Sequence, residues 1–216
     1  MRINNNYPCN TANYRKNRND SIKYIVIHYV GATGSAEDNA KYYATSNVGA
    51  SAHYFVGHMA ENGAIYQSVP DECCAWHCGG TKYYHPCRND SSIGVELCCH
   101  KLADGTWYFD NVTVDKAVEL VRELMKKHNI PPENVIRHYD VTHKICPAPF
   151  VNDAHAWESF KKRISEKPKF ESAGDIVGAL TQIIEINNVS GAVAAVDKAK
   201  AENSPLYWML YKIVNK

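Results

Sequence analysis

Five residues of this chain have the types and spacing to do chemistry together: His28, Glu96, His138, Lys144 and Cys146. His28 closes the apolar run from Lys23, and far downstream the segment from Arg137 to Cys146 places a second histidine and a cysteine eight residues apart. Zinc is bound by neutral imidazole and thiolate, and a catalytic zinc keeps three protein ligands so that a fourth tetrahedral position stays open. Two ligands on one short loop and a third on a distant strand meet that requirement. With 10 His and 8 Cys in the chain, the spacing of His138 and Cys146 would arise readily by chance. Lys144 and Glu96 sharpen it. Glu96 ends the stretch Ile93 to Val95, and a carboxylate on a buried strand is costly unless it is used or paired. It can serve as the general base of a hydrolysis, accepting a proton from the attacking water and passing it to the leaving group. The alternative is a solvent-facing strand residue. Lys144, two residues before Cys146, shares a side of an extended loop with it and can hold an ammonium near the carbonyl oxygen to stabilise an oxyanion. Its alternative is an ordinary surface lysine.

The elements that must position these residues read as mixed α and β. Ser21 to Val30 is a continuous β-branched and aromatic run, the pattern of a strand buried on both faces, with His28 near its C-terminal end. Ser35 to Thr45 has a Ser cap and acidic residues at 37 and 38, which predicts a helix. Ser51 to Gly57 and Ala64 to Val69 predict two strands joined around Asn62-Gly63, a hairpin signal. Ser92 to Cys99 predicts another strand. From Thr113 to His128 the apolar residues recur at helical spacing, with Thr113 as the expected N-cap and a basic last turn. Val135-Ile136 predicts a short strand that delivers His138, and Pro147 and Pro149 are expected to stiffen the loop after Cys146.

Four ordered blocks make the pattern specific: Tyr24 to Tyr29, Ser51 to Val56, Asn89 to Leu97, and His138 to Pro147. In these the chain resembles the zinc-dependent N-acetylmuramoyl-L-alanine amidases of the amidase-2 type, shared by phage lysins, peptidoglycan-recycling amidases and animal peptidoglycan-recognition proteins. The resemblance covers roughly the first three-quarters of the chain. It implies an α/β fold with a mixed central sheet flanked by helices, a Zn2+ cofactor held by His28, His138 and Cys146, and Glu96 and Lys144 as catalytic residues. The implied reaction is hydrolysis of the amide joining N-acetylmuramic acid to L-alanine, with bacterial peptidoglycan as partner. Composition alone would stop at a zinc hydrolase. Ala75 to Gly79 is similar to a groove loop of the family, which implies that Trp76 and His77 line the substrate groove, although Cys78 is bulkier than the family's alanine there. Tyr54 follows His53, whereas one branch of the family has the tyrosine before the histidine; Tyr54 is therefore placed, with Tyr29, among substrate-contacting residues rather than catalytic ones. Tyr83 and Tyr84 could stack on sugar or simply pack. His143, His53, His58 and His77 are weaker candidates for the metal.

A length of 216 residues allows one fair-sized domain with an appendage. Residues 1–165 are expected to be the catalytic domain, 166–174 a linker, and 175–216 a small helical C-terminal module, with helices over 175–186 and 190–202 and a third opened by Ser204-Pro205. So small a core is marginal by itself, so the module is expected to bind the cell wall, pair with another copy as a homodimer, or dock on the catalytic domain. The net charge of +1 gives no strong field toward nucleic acid or anionic membrane, so neither is expected as a partner. No apolar run approaches the roughly 18 residues of a membrane span, and no signal peptide is evident. Synthesis in the cytoplasm, with action on the wall after release, is the expectation. The eight cysteines include the adjacent pairs Cys73-Cys74 and Cys98-Cys99 and are expected to be reduced thiols. A second, structural zinc among Cys73, Cys74, His77, Cys78 and Cys87 is the alternative. For the whole chain a phage or prophage endolysin is the leading reading, with a cytoplasmic recycling amidase or a non-catalytic peptidoglycan-binding protein as alternatives. Cys146 argues against the last, since the resemblance implies that some recognition proteins of the fold lack the third zinc ligand.

Overall fold

The computed structural model describes residues 1–45 and 47–166, and Met1–Ser165 form one compact unit. The expected helices of 175–216, and the linker beyond residue 166, lie outside the described residues. At the centre is a six-stranded sheet in the order β1 (Ile3–Asn4), β5 (Ile65–Gln67), β4 (Tyr54–Val56), β7 (Ser92–Leu97), β3 (Tyr24–Tyr29) and β10 (Val135–Arg137). Only the β4–β5 pair is antiparallel; β1–β5, β4–β7, β3–β7 and β3–β10 are parallel. Two small antiparallel pairs complete the strands: β2 (Tyr14–Arg15) with β6 (Cys74–Ala75), and β8 (His100–Lys101) with β9 (Trp107–Tyr108).

Side chains alternate between the faces of a strand, and here the two faces have different tasks. Ile25, Ile27, Tyr54, Val56, Ile93, Val95 and Leu97 point to one side. They pack against Ala117, Val118, Leu120, Val121 and Leu124 of α2 (Asn111–His128) and Phe160 and Ile164 of α5 (Ala154–Ser165). Burying one such Leu or Val side chain stabilises by about 1.5–3 kcal/mol, so this face carries the main core. The alternate residues, Val26, His28, Gly94 and Glu96, point to the other side. There Val26 and Ile136 meet Cys78 and Cys87, and Phe55 meets Ala36 and Ala40 of α1 (Ala36–Thr45).

Several boundaries differ from the sequence reading. The β4–β5 connection does turn through Asn62 and Gly63, both with positive φ (50° and 66°), but a short 3-10 turn, Met59–Glu61, lengthens it. Helix α2 starts earlier than expected, with Asp110 in the N-cap position. The Asp110 carboxylate instead accepts from the Met59 backbone N–H at 2.7 Å and faces His100 Nε2 at 3.0 Å. Thr113, the expected cap, is buried and donates to the Gly57 carbonyl at 3.0 Å, tying α2 to the sheet. After β10 the chain does not stay extended. His138–Thr142 coil into α3, with the Asp140 carboxylate accepting from the Arg137 N–H at 2.8 Å, and Ala148–Asn152 form α4. Pro149 sits in the first turn of α4, where a missing N–H costs nothing.

Candidate metal centre and cleft

Three neighbouring parallel strands end together, and that arrangement gathers the site. His28 on β3 stands in register with Glu96 on β7, so both side chains leave the same face side by side. On the other flank Arg137 of β10 pairs with Ile27, and the next residue, His138, brings its ring to 4.8 Å from that of His28. Helix α3 then reverses the chain. His143 ends it in the left-handed region at φ 62°, and the Tyr139 N–H donates to the Cys146 carbonyl at 2.8 Å. The return places the Cys146 sulfur 3.6 Å from His28 Nδ1.

Among the described residues, His28, His138 and Cys146 are the one group of three or more His, Cys, Asp or Glu able to share a metal ion, with ligand atoms all within 4.8 Å of one another. All three are buried. A tetrahedral zinc has ligand–ligand separations of roughly 3.3–3.8 Å, so the 3.6 Å contact already has that spacing. The free nitrogen of His138 fits too. Its Nε2–H donates to the Gly79 carbonyl at 3.2 Å, which leaves Nδ1 as the lone-pair nitrogen, and that atom is buried without a partner. A donor set of two neutral imidazoles and a thiol, with one lone pair aimed at nothing, fits a metal ion.

Electrostatics point the same way. Burial holds the His28 imidazole well below its ordinary value, helped by His77, His138 and Lys144. His138 is pushed down to about 4 by burial and by Lys144. Both are therefore neutral, as ligation requires. Burial, with Glu96 adding to it, pushes the Cys146 thiol up to about 12, so a bound cation is what would make it a thiolate. Burial likewise pushes the Glu96 carboxyl up to about 8 against the pull of Lys144. One Glu96 oxygen, Oε2, is enclosed with no hydrogen-bond partner.

A cavity of about 260 Å³ opens on this cluster and is lined by His28, Tyr29, Trp76, His77, Glu96, His138, Lys144 and Cys146. Eight of the residues expected at the site thus share one cleft. Tyr54 does not. It belongs to the α2 face of the sheet, buried, with its hydroxyl donating to Asp71 at 2.6 Å. The physical reason is strand alternation: Tyr54 pairs with Val95, one position out of phase with Glu96. The other histidines have separate duties. His53 accepts from the Gly94 N–H at 2.9 Å, His58 stacks on His100, and His143 stacks on Tyr84 with ring centroids 3.6 Å apart. The alternative ligand set does not assemble. Cys73 packs beside Cys9 and Val69, away from the cluster of Cys78 and Cys87, while His77 lies against His28. The sequence reading missed Tyr43 and Ser51, which also line the cavity. The Ser51 hydroxyl accepts from the Trp76 N–H at 2.9 Å and donates to the Asn13 carbonyl at 2.8 Å. Nothing local in the sequence marks that partnership, since Asn13 lies far from both.

Residues 18–149 match the family described as N-acetylmuramoyl-L-alanine amidase (amidase-2), a span that contains every residue of the cleft. The chain belongs to that family. Among curated relatives of this amidase-2 chain, the N-acetylmuramoyl-L-alanine amidase BlyA of Bacillus subtilis is 35% identical over 161 residues, which is 68% of this chain and 42% of that protein. CwlL of Bacillus licheniformis is 34% identical over 155 residues, 66% of this chain and 41% of that protein. The chain thus spans well under half the length of these relatives. The structure of PlyL superposes with a TM-score of 0.65 at 27% identity, covering 78% of this chain and 100% of that one. A mutant endolysin from Bacillus subtilis gives 0.61 at 29% identity, covering 76% and 99%. The expected mixed-sheet α/β architecture is the one these structures share. No helix among the described residues is long and apolar enough to cross a membrane.

Proposed function

We propose that this chain is a zinc-dependent N-acetylmuramoyl-L-alanine amidase that cleaves the amide between N-acetylmuramic acid and L-alanine in bacterial peptidoglycan, acting on the wall in the manner of a phage or prophage endolysin. The observation that carries the reading is the juxtaposition of His28, His138 and Cys146 with the enclosed Glu96 carboxyl in one cleft. Family membership supports the bond cleaved. When bound, zinc supplies Lewis-acid chemistry, polarising a carbonyl and making an attacking water more acidic.

The protein's own residues do the rest. Glu96 removes a proton from the attacking water and returns it to the amide nitrogen as the bond breaks; a carboxyl raised toward neutrality is suited to both halves of that transfer. Lys144, on the exposed side of the cleft, places a positive charge where the carbonyl oxygen becomes anionic. Trp76 and Tyr29 form walls against which sugar or peptide can pack. Residues after Ser165 favour an enzyme that acts on the wall over a recycling amidase, which needs no added module. A module that holds the wall, or one that pairs two chains, serves that role.

The test is clearing of a cell-wall suspension by the purified protein with and without chelator. Cleavage should release new amino groups in step with clearing and no new reducing sugar ends. Clearing with reducing ends would show a glycosidase, and binding without clearing would show a non-catalytic wall binder.

A further inference from the structure

The cleft contains a histidine that the metal reading does not use. His77 is buried behind His28, with His28 Nε2 and His77 Nδ1 3.0 Å apart. His77 Nε2 lies 3.2 Å from the Ser92 hydroxyl, which in turn lies 2.7 Å from the Arg88 carbonyl oxygen. The direction of every bond in this chain follows from its far end. A carbonyl can only accept, so the Ser92 O–H donates to Arg88 and its oxygen is left to accept from His77 Nε2–H. In a neutral ring that leaves Nδ1 of His77 as an acceptor, which must receive the Nε2–H of His28. His28 is then left with its lone pair on Nδ1, the nitrogen that faces Cys146 at 3.6 Å.

The surroundings hold His77 in that place. The Asn89 side-chain oxygen accepts from the N–H groups of His77 and Cys78 at 3.1 and 2.7 Å. On β7, Gly94 leaves the ring its space: a Cβ there would come within 2.5 Å of His77 Cγ. Glycine on this strand is thus required by a neighbouring side chain.

We infer that His77, seated on Ser92 and the Arg88 carbonyl, is the positioning residue that sets the tautomer and ring orientation of His28 for metal binding. The inference rests on the metal reading of the site. It assigns His77 to the metal's supporting shell; a role in gripping substrate would not need the hydrogen bond to His28. Partners of this kind are typically worth 10- to 100-fold in metal affinity.

Zinc affinity measured by chelator competition on the full chain tests it, alongside the absorption spectrum of the cobalt-substituted protein. His77→Ala should weaken zinc binding by about 10- to 100-fold and change the cobalt spectrum, and Ser92→Ala should weaken binding less. His77→Asn, whose side-chain oxygen can stand where Nδ1 stood, should recover most of the loss. In the wild-type, metal-free protein, nitrogen NMR should show His28 protonated on Nε2. Three results overturn the proposal: an Nδ1-protonated His28, unchanged zinc affinity and cobalt spectrum in His77→Ala, or no recovery by Asn in a variant whose metal-free fold melts like wild type. Failure of the wild-type protein to bind zinc would instead overturn the metal reading, and the relay with it.

Discussion

His28 and Glu96 occupy matched positions on two adjacent parallel strands, so the proposed metal ligand and the proposed proton carrier share one face with only a strand spacing between them. Their relative placement is set by the β3–β7 ladder, two strands with buried centres.

The purified protein is expected to hold about one zinc per chain, and Cys146→Ser should lose most of it together with activity. Elemental analysis of the wild type and of the variant altered at His28, His138 and Cys146 checks this. Full zinc occupancy in the triple variant would place the metal elsewhere.

Glu96→Ala should keep its zinc and lose roughly 10²-fold or more in turnover, the usual size of a general-base contribution. Lys144→Ala should fall less far, because an exposed ammonium stabilises the oxyanion only in part. Kinetics on a soluble muropeptide, with zinc content measured on the same samples, separates these effects. Near-normal turnover in Glu96→Ala would mean that another group moves the proton.

Asp71 gives the fold a predictable acid response. Burial alone would raise its carboxyl, but hydrogen bonds from Lys127, Tyr54 and His128 outweigh that and hold it below the ordinary carboxylate value. A carboxyl lowered on folding contributes stability that is full above its unfolded value, near 3.8, and is lost as pH falls through the folded value. Asp71→Asn should therefore cost about 1–3 kcal/mol at neutral pH, and the gap to wild type should narrow below about pH 4. Denaturant melts across pH measure it; a gap that does not vary with pH would contradict the assignment.

Gly94→Ala should destabilise the protein by about 1–3 kcal/mol through overpacking and lower zinc affinity, since the added methyl meets the His77 ring. Gly80→Ala, also tight, meets the Thr142 side chain instead. It should spare the metal, and equal zinc losses in the two variants would contradict that contrast.

A protein truncated after Ser165 should fold, bind zinc and cleave small muropeptides, because every residue of the cleft precedes the cut. If the removed part holds the wall, whole-wall binding and lysis fall; if it pairs chains, a dimer becomes a monomer with wall affinity nearly unchanged. Sedimentation and a wall pull-down decide, and no change in either would count against both roles.

What could be seen in the sequence was the chemistry that residue type alone restricts. His28, His138, Cys146 and Glu96 sit in blocks whose composition and order are informative, and the strands at 24–29 and 92–97 show as apolar runs. What could not be seen depends on partners brought from elsewhere. His77 lines the cleft as expected, but its bonds to His28 and Ser92 could not be read, because they exist only once β3 and β7 are side by side. Helix α3 is too short to show a period. The start of α2 was placed too late because Thr113 is a good cap residue by type; the N-cap position is Asp110, and tertiary bonds took both side chains. Tyr54 went to the wrong face because a family position says nothing of phase, and on a strand one residue of phase is the difference between cleft and core.

The strand order has a mechanical consequence. Among the described residues β10 lies at the edge of the sheet and pairs only with β3, and the segment just beyond it supplies His138 and Cys146, the latter 118 residues from His28. A metal in this site would rivet the open margin of the sheet to its middle, closing a loop of most of the unit in a chain whose eight cysteines are all free thiols. Chelation should then act as a zip being undone from one end, loosening β10, α3 and α4 while the β4–β7–β3 centre keeps its amide protons protected from exchange.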